Sequence, residues 1–175
     1  MIISLIGYMG CGKSTLGKKM AKMLGFQFVD LDQKIEQQEQ KTIAEIFQEG
    51  GEEAFRQIEH ETLEQVLKQE EDMVLSLGGG TPCFMDNMKW INDSTYSIFI
   101  DLPEKTLAQR LSQGKSTRPI IAHLNDEELL AFIEKHLGDR RPFYERSHRF
   151  FNPLREDLDQ LVEEIRLNDT DLSDH

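Results

Sequence analysis

The octapeptide Gly7-Tyr8-Met9-Gly10-Cys11-Gly12-Lys13-Ser14 constrains this chain more than any other feature. It follows the apolar run Ile2-Ile3-Ser4-Leu5-Ile6 and precedes a segment in which Leu16, Met20, Met23 and Leu24 recur at helical spacing. Glycine, four residues, glycine, lysine and serine, set between a strand and a helix, is the pattern of a P-loop. Its glycines let successive backbone N–H groups turn into one concavity, and the helix N-terminus adds positive potential there. Gly10, Cys11, Gly12 and Thr15 would complete the cradle. Lys13 would reach the β- and γ-phosphates of a nucleotide, and the Ser14 hydroxyl suits Mg²⁺.

A strand feeding a helix and then a second strand, Phe26 to Asp30, is a βαβ unit, so the chain reads as α/β with a parallel sheet. Met73 to Leu77, Tyr96 to Ile100 and the short Phe150-Phe151 read as further strands. Residues 33–72 read as mostly helical, as does 103–112, where Pro103 suits a first helical turn. Asn125 with Glu128 three residues on has the form of a capping box. Pro142 is expected to kink or interrupt the helix that follows. Residues 1–167 form one domain, and the polar, acidic residues 168–175 are expected to be a disordered tail.

Charge narrows the function. The chain carries a net charge of −12, which speaks against a nucleic-acid-coating surface. No apolar run reaches the ~18–20 residues of a membrane span, and the N-terminus has no basic leader. Two cysteines, Cys11 and Cys83, are too few for a disulfide scaffold, so the reducing cytoplasm is expected. The average hides a reversal: the first 25 residues hold four lysines and no acid, and residues 140–155 hold five arginines against Glu145. A small anion pocket is therefore compatible with an acidic chain. Within 33–72, Arg56 is expected to face inward and most carboxylates to face water.

Four further groups are candidates for a second site. On an extended strand end, Asp30 and Asp32 would share one face near the P-loop. One would orient metal-bound water and the other accept a hydroxyl proton, or Asp32 simply caps a helix from Gln33. Gly78-Gly79-Gly80 follows a strand, where parallel sheets place ligands; it is either a ligand-facing backbone or a turn. Arg56 with Glu59 is either a surface ion pair or a carboxylate-binding arginine. Arg140 lies in a basic stretch that, by its residues alone, reads as a solvated helix face sooner than as a site.

Together these residues resemble the shikimate kinase family, within the nucleoside-monophosphate-kinase-like branch of P-loop proteins. The similarity spans residues 2–155. It includes the P-loop, Asp30-x-Asp32, Gly51-Glu52-x-x-Phe55-Arg56-x-x-Glu59, Gly78-Gly79-Gly80, Arg118-Pro119 and Arg140-x-Pro142-x-Tyr144. The resemblance implies a three-layer sandwich around a five-stranded parallel sheet, with residues 33–60 binding substrate and 112–124 acting as a lid. It implies ATP and Mg²⁺, with Ser14 and Asp30 at the metal. It implies transfer of the γ-phosphoryl group to the 3-hydroxyl of shikimate by a monomeric enzyme. Lys13, Asp32 and Arg118 would be catalytic, Asp32 as the proton acceptor of the family pattern. Arg56, Glu59, Gly78, Gly79, Gly80 and Arg140 would surround the substrate. Arg110 and Pro153 match the positions that sandwich adenine. A kinase for another hydroxy acid such as gluconate, a nucleoside-monophosphate kinase and a non-catalytic nucleotide-binding module are the competing readings.

Overall fold

A computed structural model describes residues 1–114 and 120–173. Its centre is a five-stranded sheet: β1 (Ile2–Ile6), β2 (Gln27–Asp30), β3 (Met73–Ser76), β4 (Tyr96–Ile100) and β5 (Arg149–Phe151). The strands lie in the order β2-β3-β1-β4-β5, and every pairing is parallel. β1 is buried at every position, which explains its unbroken apolar run: helices cover both faces of such a sheet. Among the described residues these helices are α1 (Lys13–Leu24), α2 (Leu31–Glu39), α3 (Ile43–Leu67), α4 (Asn87–Ser94), α5 (Glu104–Ser112), α6 (Asp126–Tyr144) and α7 (Leu158–Ser173). The chain fills one side of β1 with β2 and β3, then crosses to the other with β4 and β5. That is a topological switch point, where the carboxyl ends of the strands open a crevice. The P-loop, the two aspartates and the triple glycine all leave strands at this end.

Four local expectations are corrected. Helix α2 begins at Leu31, so Asp32 lies in its first turn rather than on an extended strand. Asp30, not Asp32, is the cap: its Oδ1 accepts from the Gln33 N–H at 3.3 Å. Leu31 and Ile35, four apart and fully buried, hold that face against the core. Pro142 does not interrupt α6, which runs to Tyr144. The carbonyl that Pro142 leaves without an N–H partner belongs to exposed Gly138, where water can satisfy it. Helix α7 continues to Ser173, well into the segment expected to be a disordered tail. Leu161, Val162 and Ile165 anchor that helix in the core, and each residue added to a formed helix gains a backbone bond at low cost. Residues 174–175 lie outside the described residues. Helix α4 was not foreseen, because only Met88 and Ile91 mark its buried face within eight mostly polar residues.

Helix α3 bends at Gly51, whose φ of 72° no helix interior adopts. A glycine tolerates that conformation without strain. The bend separates the first turns of α3 from the stretch that carries Phe55, Arg56 and Glu59. The N-terminus of α3 is secured by a capping box between Thr42 and Glu45.

Candidate active site

The P-loop turns out of β1 with Gly10 at φ 79° and Gly12 at φ 96°, both in the left-handed region that favours glycine. A Cβ on Gly10 would also press on Leu111 at 2.9 Å. Lys13 folds back over the loop, its Nζ donating to the carbonyls of Gly7 at 2.7 Å and Tyr8 at 3.1 Å. Ser14 and Asp30 meet across the start of α1 and the end of β2, the hydroxyl donating to Oδ2 at 3.1 Å. Thr15 is exposed beside them, and Cys11 is buried beneath the loop. Arg110 on α5 donates to the Cys11 carbonyl at 3.3 Å, so the expected adenine neighbour overlies the cradle. Pro153 borders an open cleft with Leu16 and Lys19 of α1. Arg118 lies outside the described residues. Beyond it, Ile121 is fully buried and Ile120 is exposed.

The second half of the site is built from four separate segments. Glu59 on α3 is 1% exposed, and two donors close on it. Arg56 Nη1 reaches its Oε2 at 2.7 Å, and the Thr81 hydroxyl reaches its Oε1 at 2.6 Å. The Arg56 guanidinium stacks 4.0 Å from the centroid of Phe84 and lies so close to Gly80 that any Cβ there would collide with it. Its Nε is buried with no hydrogen-bond partner. The Arg56–Glu59 spacing is therefore not a solvated surface pair. Glu59 is the one buried carboxylate of residues 33–72; nine of the other eleven are exposed, as the charge argument expects.

Asp32, Glu59 and Thr81 converge over Gly78, where a Cβ would meet Thr81 Oγ1 at 3.0 Å, Asp32 Oδ1 at 3.2 Å and Glu59 Oε1 at 3.4 Å. Burial is the first reason that the Asp32 carboxyl is pushed up to about 6; the charges of Asp30, Glu59 and Glu36 add to it, and Lys13 opposes them. A carboxyl held near neutrality at the mouth of a phosphate cradle suits proton transfer. Gly79 completes the floor. Its carbonyl accepts the Tyr144 hydroxyl at 2.5 Å, and a Cβ on it would approach Arg140 Nη1 at 2.9 Å. The structure thus brings Asp32, Arg56, Glu59, the three glycines and Arg140 to one place beside the P-loop.

Sequence reasoning gave no role to Thr81, Phe84, Tyr144 or the side chain of Tyr8. Thr81 directly follows the triple glycine, and that adjacency was its only signal. No cluster of three or more histidine, cysteine or carboxylate side chains able to hold a metal occurs among the described residues. The Ser14–Asp30 pair still fits Mg²⁺, which commonly takes one or two protein oxygens and fills its octahedron with water and phosphate.

Comparison with known proteins places these features in a family. The model of the family described as shikimate kinase matches residues 9–168. A shikimate kinase of Phocaeicola vulgatus is 46% identical over 149 residues, 85% of each chain. The crystal structure of the shikimate kinase from Bacteroides thetaiotaomicron superposes with a TM-score of 0.85 at 39% identity, covering 95% of this chain and 96% of the other. That of the Acinetobacter baumannii shikimate kinase in complex with shikimate gives 0.79 at 30% identity, covering 94% and 89%.

Proposed function

This chain belongs to the shikimate kinase family, and from that premise we propose how its residues phosphorylate shikimate with ATP. The reaction joins the 3-hydroxyl oxygen of shikimate to the γ-phosphorus of ATP, breaks the bond to the bridging oxygen of ADP, and releases the hydroxyl proton. The observation that carries the assignment of roles is the convergence of two half-buried arginines, Arg56 and Arg140, and a carboxyl poised near neutrality, Asp32, beside the P-loop.

Lys13 leaves the loop carbonyls to hold the phosphates, while the backbone of Gly10, Cys11 and Gly12 and the hydroxyls of Ser14 and Thr15 line the cradle. Arg110 and Pro153 flank the adenine. Ser14 and Asp30 would hold Mg²⁺, which neutralises charge on the phosphate oxygens when bound. Arg56 and Arg140 fork onto the substrate carboxylate, with Glu59 fixing Arg56. Gly78, Gly79 and Gly80 admit the ring to bare backbone. Asp32 orients the hydroxyl and takes its proton. Arg118 adds positive charge at the transferring group from the 112–124 segment. Binding the carboxylate, far from phosphorus, aligns the acceptor and so lowers the entropic part of the barrier.

We read residues 1–167 as one catalytic domain with 33–60 as its acceptor-binding part, and the protein as a cytoplasmic monomer. Among the described residues no helix is long and apolar enough to cross a membrane. The test is an ADP-release assay with shikimate, gluconate and nucleoside monophosphates offered in turn. Turnover with shikimate alone is expected. Turnover with gluconate or a nucleoside monophosphate in its place, or nucleotide binding with no turnover on any acceptor, overturns the reading.

A further inference from the structure

Tyr8 occupies a variable position of the P-loop, between its first two glycines, and none of the roles above uses its side chain. It is nevertheless 1% exposed, which is unusual for a loop residue. Its ring faces the guanidinium of Arg140, with Cζ 5.9 Å from the ring centroid. Its hydroxyl meets His136 Nδ1 at 2.9 Å, and the two rings sit edge to face at 5.5 Å. His136 lies one helical turn before Arg140 on α6, so both residues project from the same helix face. Phe132, a turn earlier, also packs against the imidazole, its ring centroid 5.1 Å away. At the opposite end of the same residue, the Tyr8 carbonyl accepts from Lys13 Nζ.

We propose that Tyr8 and His136 are a positioning pair for Arg140, through which the P-loop sets the arginine that receives the acceptor's carboxylate. The pair restricts Arg140 from below. The flat face of the tyrosine is a floor for the guanidinium, which gains cation–π attraction there. The hydrogen bond to His136 fixes the ring in the plane that offers that face. Without the bond the tyrosine ring gains freedom, and Arg140 loses that wall while keeping its close approach to Gly79 and its contact with the Tyr144 hydroxyl. Protonation states agree with this direction of donation. Burial pushes the Tyr8 hydroxyl up to about 12, so it keeps its proton. Burial, then the nearby Arg140 charge, lowers His136 against the pull of Asp139, so neutral Nδ1 is free to accept. Arg140 is thereby tied to the same residue whose carbonyl holds Lys13, and one loop residue touches both halves of the site.

The inference rests on reading Arg140 as a carboxylate holder, so that reading is tested beside it. The variants are Tyr8→Phe, His136→Leu, His136→Gln, the double variant Tyr8→Phe/His136→Leu, and Arg140→Ala. KM for shikimate and KM for ATP are measured on each folded protein. Loss of one hydrogen bond predicts a rise of about threefold to tenfold in KM for shikimate in Tyr8→Phe and His136→Leu, with KM for ATP moving less than about twofold in either. His136→Gln, which keeps an acceptor, is expected to recover most of the loss, and the double variant to be no worse than either single one. An unchanged KM for shikimate, an equal rise in both KM values, no recovery by glutamine, or additive single effects overturns the proposal. Failure of Arg140→Ala to raise KM for shikimate overturns instead the reading of Arg140 on which it stands. His136 lies half-buried on a helix outside the P-loop, so its variants test the pair even where a Tyr8 substitution impairs folding.

Discussion

The two halves of the proposed active site are built on opposite principles. The donor side is one contiguous loop, Gly7 to Thr15, which offers backbone N–H groups to phosphate and needs mainly glycines in the right places. The acceptor side draws single side chains from α2, α3, the turn after β3 and α6, and most are held by a partner elsewhere in the chain. Glu59 is gripped by Arg56 and Thr81, Arg56 is stacked on Phe84, and the Gly79 carbonyl is held by Tyr144. A backbone site tolerates changes of side chain except where a charge is required. A side-chain site is sensitive at every member and at the members' supports. The comparison predicts where substitutions will be felt.

The largest effects are expected at the two charged groups that the proposed roles set nearest the reacting atoms, one from each half. Lys13→Ala and Asp32→Asn are each expected to lower kcat by about 10²–10⁴-fold, the range for loss of a positioned charge or base. Turnover assays on folded protein check both, and near-normal turnover of Asp32→Asn removes it as the proton acceptor. Next comes Arg56→Ala, expected to weaken shikimate binding by about 2–5 kcal/mol while leaving ATP affinity nearly intact. Part of that loss is the buried Glu59 left with one donor. Calorimetry with each ligand separately decides it. Weaker ATP binding with shikimate binding preserved would assign Arg56 to the wrong half.

The same contrast explains what was legible in the sequence. The P-loop, β1 and α1 could be read directly, because the groups that act together are neighbours in the chain and each local preference agrees with its neighbour. The acceptor side could not be read from spacing. Arg56 and Glu59, three residues apart, have the pattern of an exposed helix pair; only the tertiary fold, by laying Gly80 and Phe84 against the guanidinium, makes it a buried one. The family resemblance brought these residues together before the structure did, but not Thr81 or the ring of Tyr8, which act through others. Asp30 and Asp32 show the limit of a local rule. Strand alternation and helix capping both fitted the sequence Val29-Asp30-Leu31-Asp32, and the burial of Leu31 and Ile35 decided for the helix.

A smaller effect concerns pH. Asp32 has to be ionised to take a proton, so kcat/KM is expected to climb through a pH of about 6, the value of the unliganded site, and to lose that limb in Asp32→Asn. The sign for stability is opposite. The folded protein holds this proton more tightly than the unfolded chain does. The stability the raised value confers is complete below the ordinary 3.8 and is lost as pH rises to about 6. Above that range, ionised Asp32 opposes folding, chiefly because it is buried and faces Asp30 and Glu59. Asp32→Asn is therefore expected to unfold at higher denaturant at pH 8, by about 1–2 kcal/mol once partial exposure is discounted. A variant less stable than the parent at pH 8 would show that the attraction of Lys13 for the carboxylate outweighs its burial.

The sharpest test matches two small side chains, one from each half. Thr81 and Cys11 are both buried, and both sit in turns directly after a glycine. The Thr81 hydroxyl donates to Glu59 at 2.6 Å, so Thr81→Val keeps the shape and removes a donor from a buried carboxylate. That loss is worth about 1–3 kcal/mol, and it reaches the substrate through Arg56. KM for shikimate is expected to rise by about threefold to tenfold, with KM for ATP unmoved. The Cys11 thiol has only a long contact of 3.8 Å from Lys13 Nζ, whereas its carbonyl takes Arg110. Cys11→Ala leaves that carbonyl and the cradle N–H in place and removes one small buried group. It should cost at most about 1 kcal/mol of stability and less than about twofold in KM for ATP. If the cysteine variant instead loses ATP affinity tenfold while the threonine variant is silent, the donor site depends on its side chains after all. The division between a backbone half and a side-chain half would then be wrong.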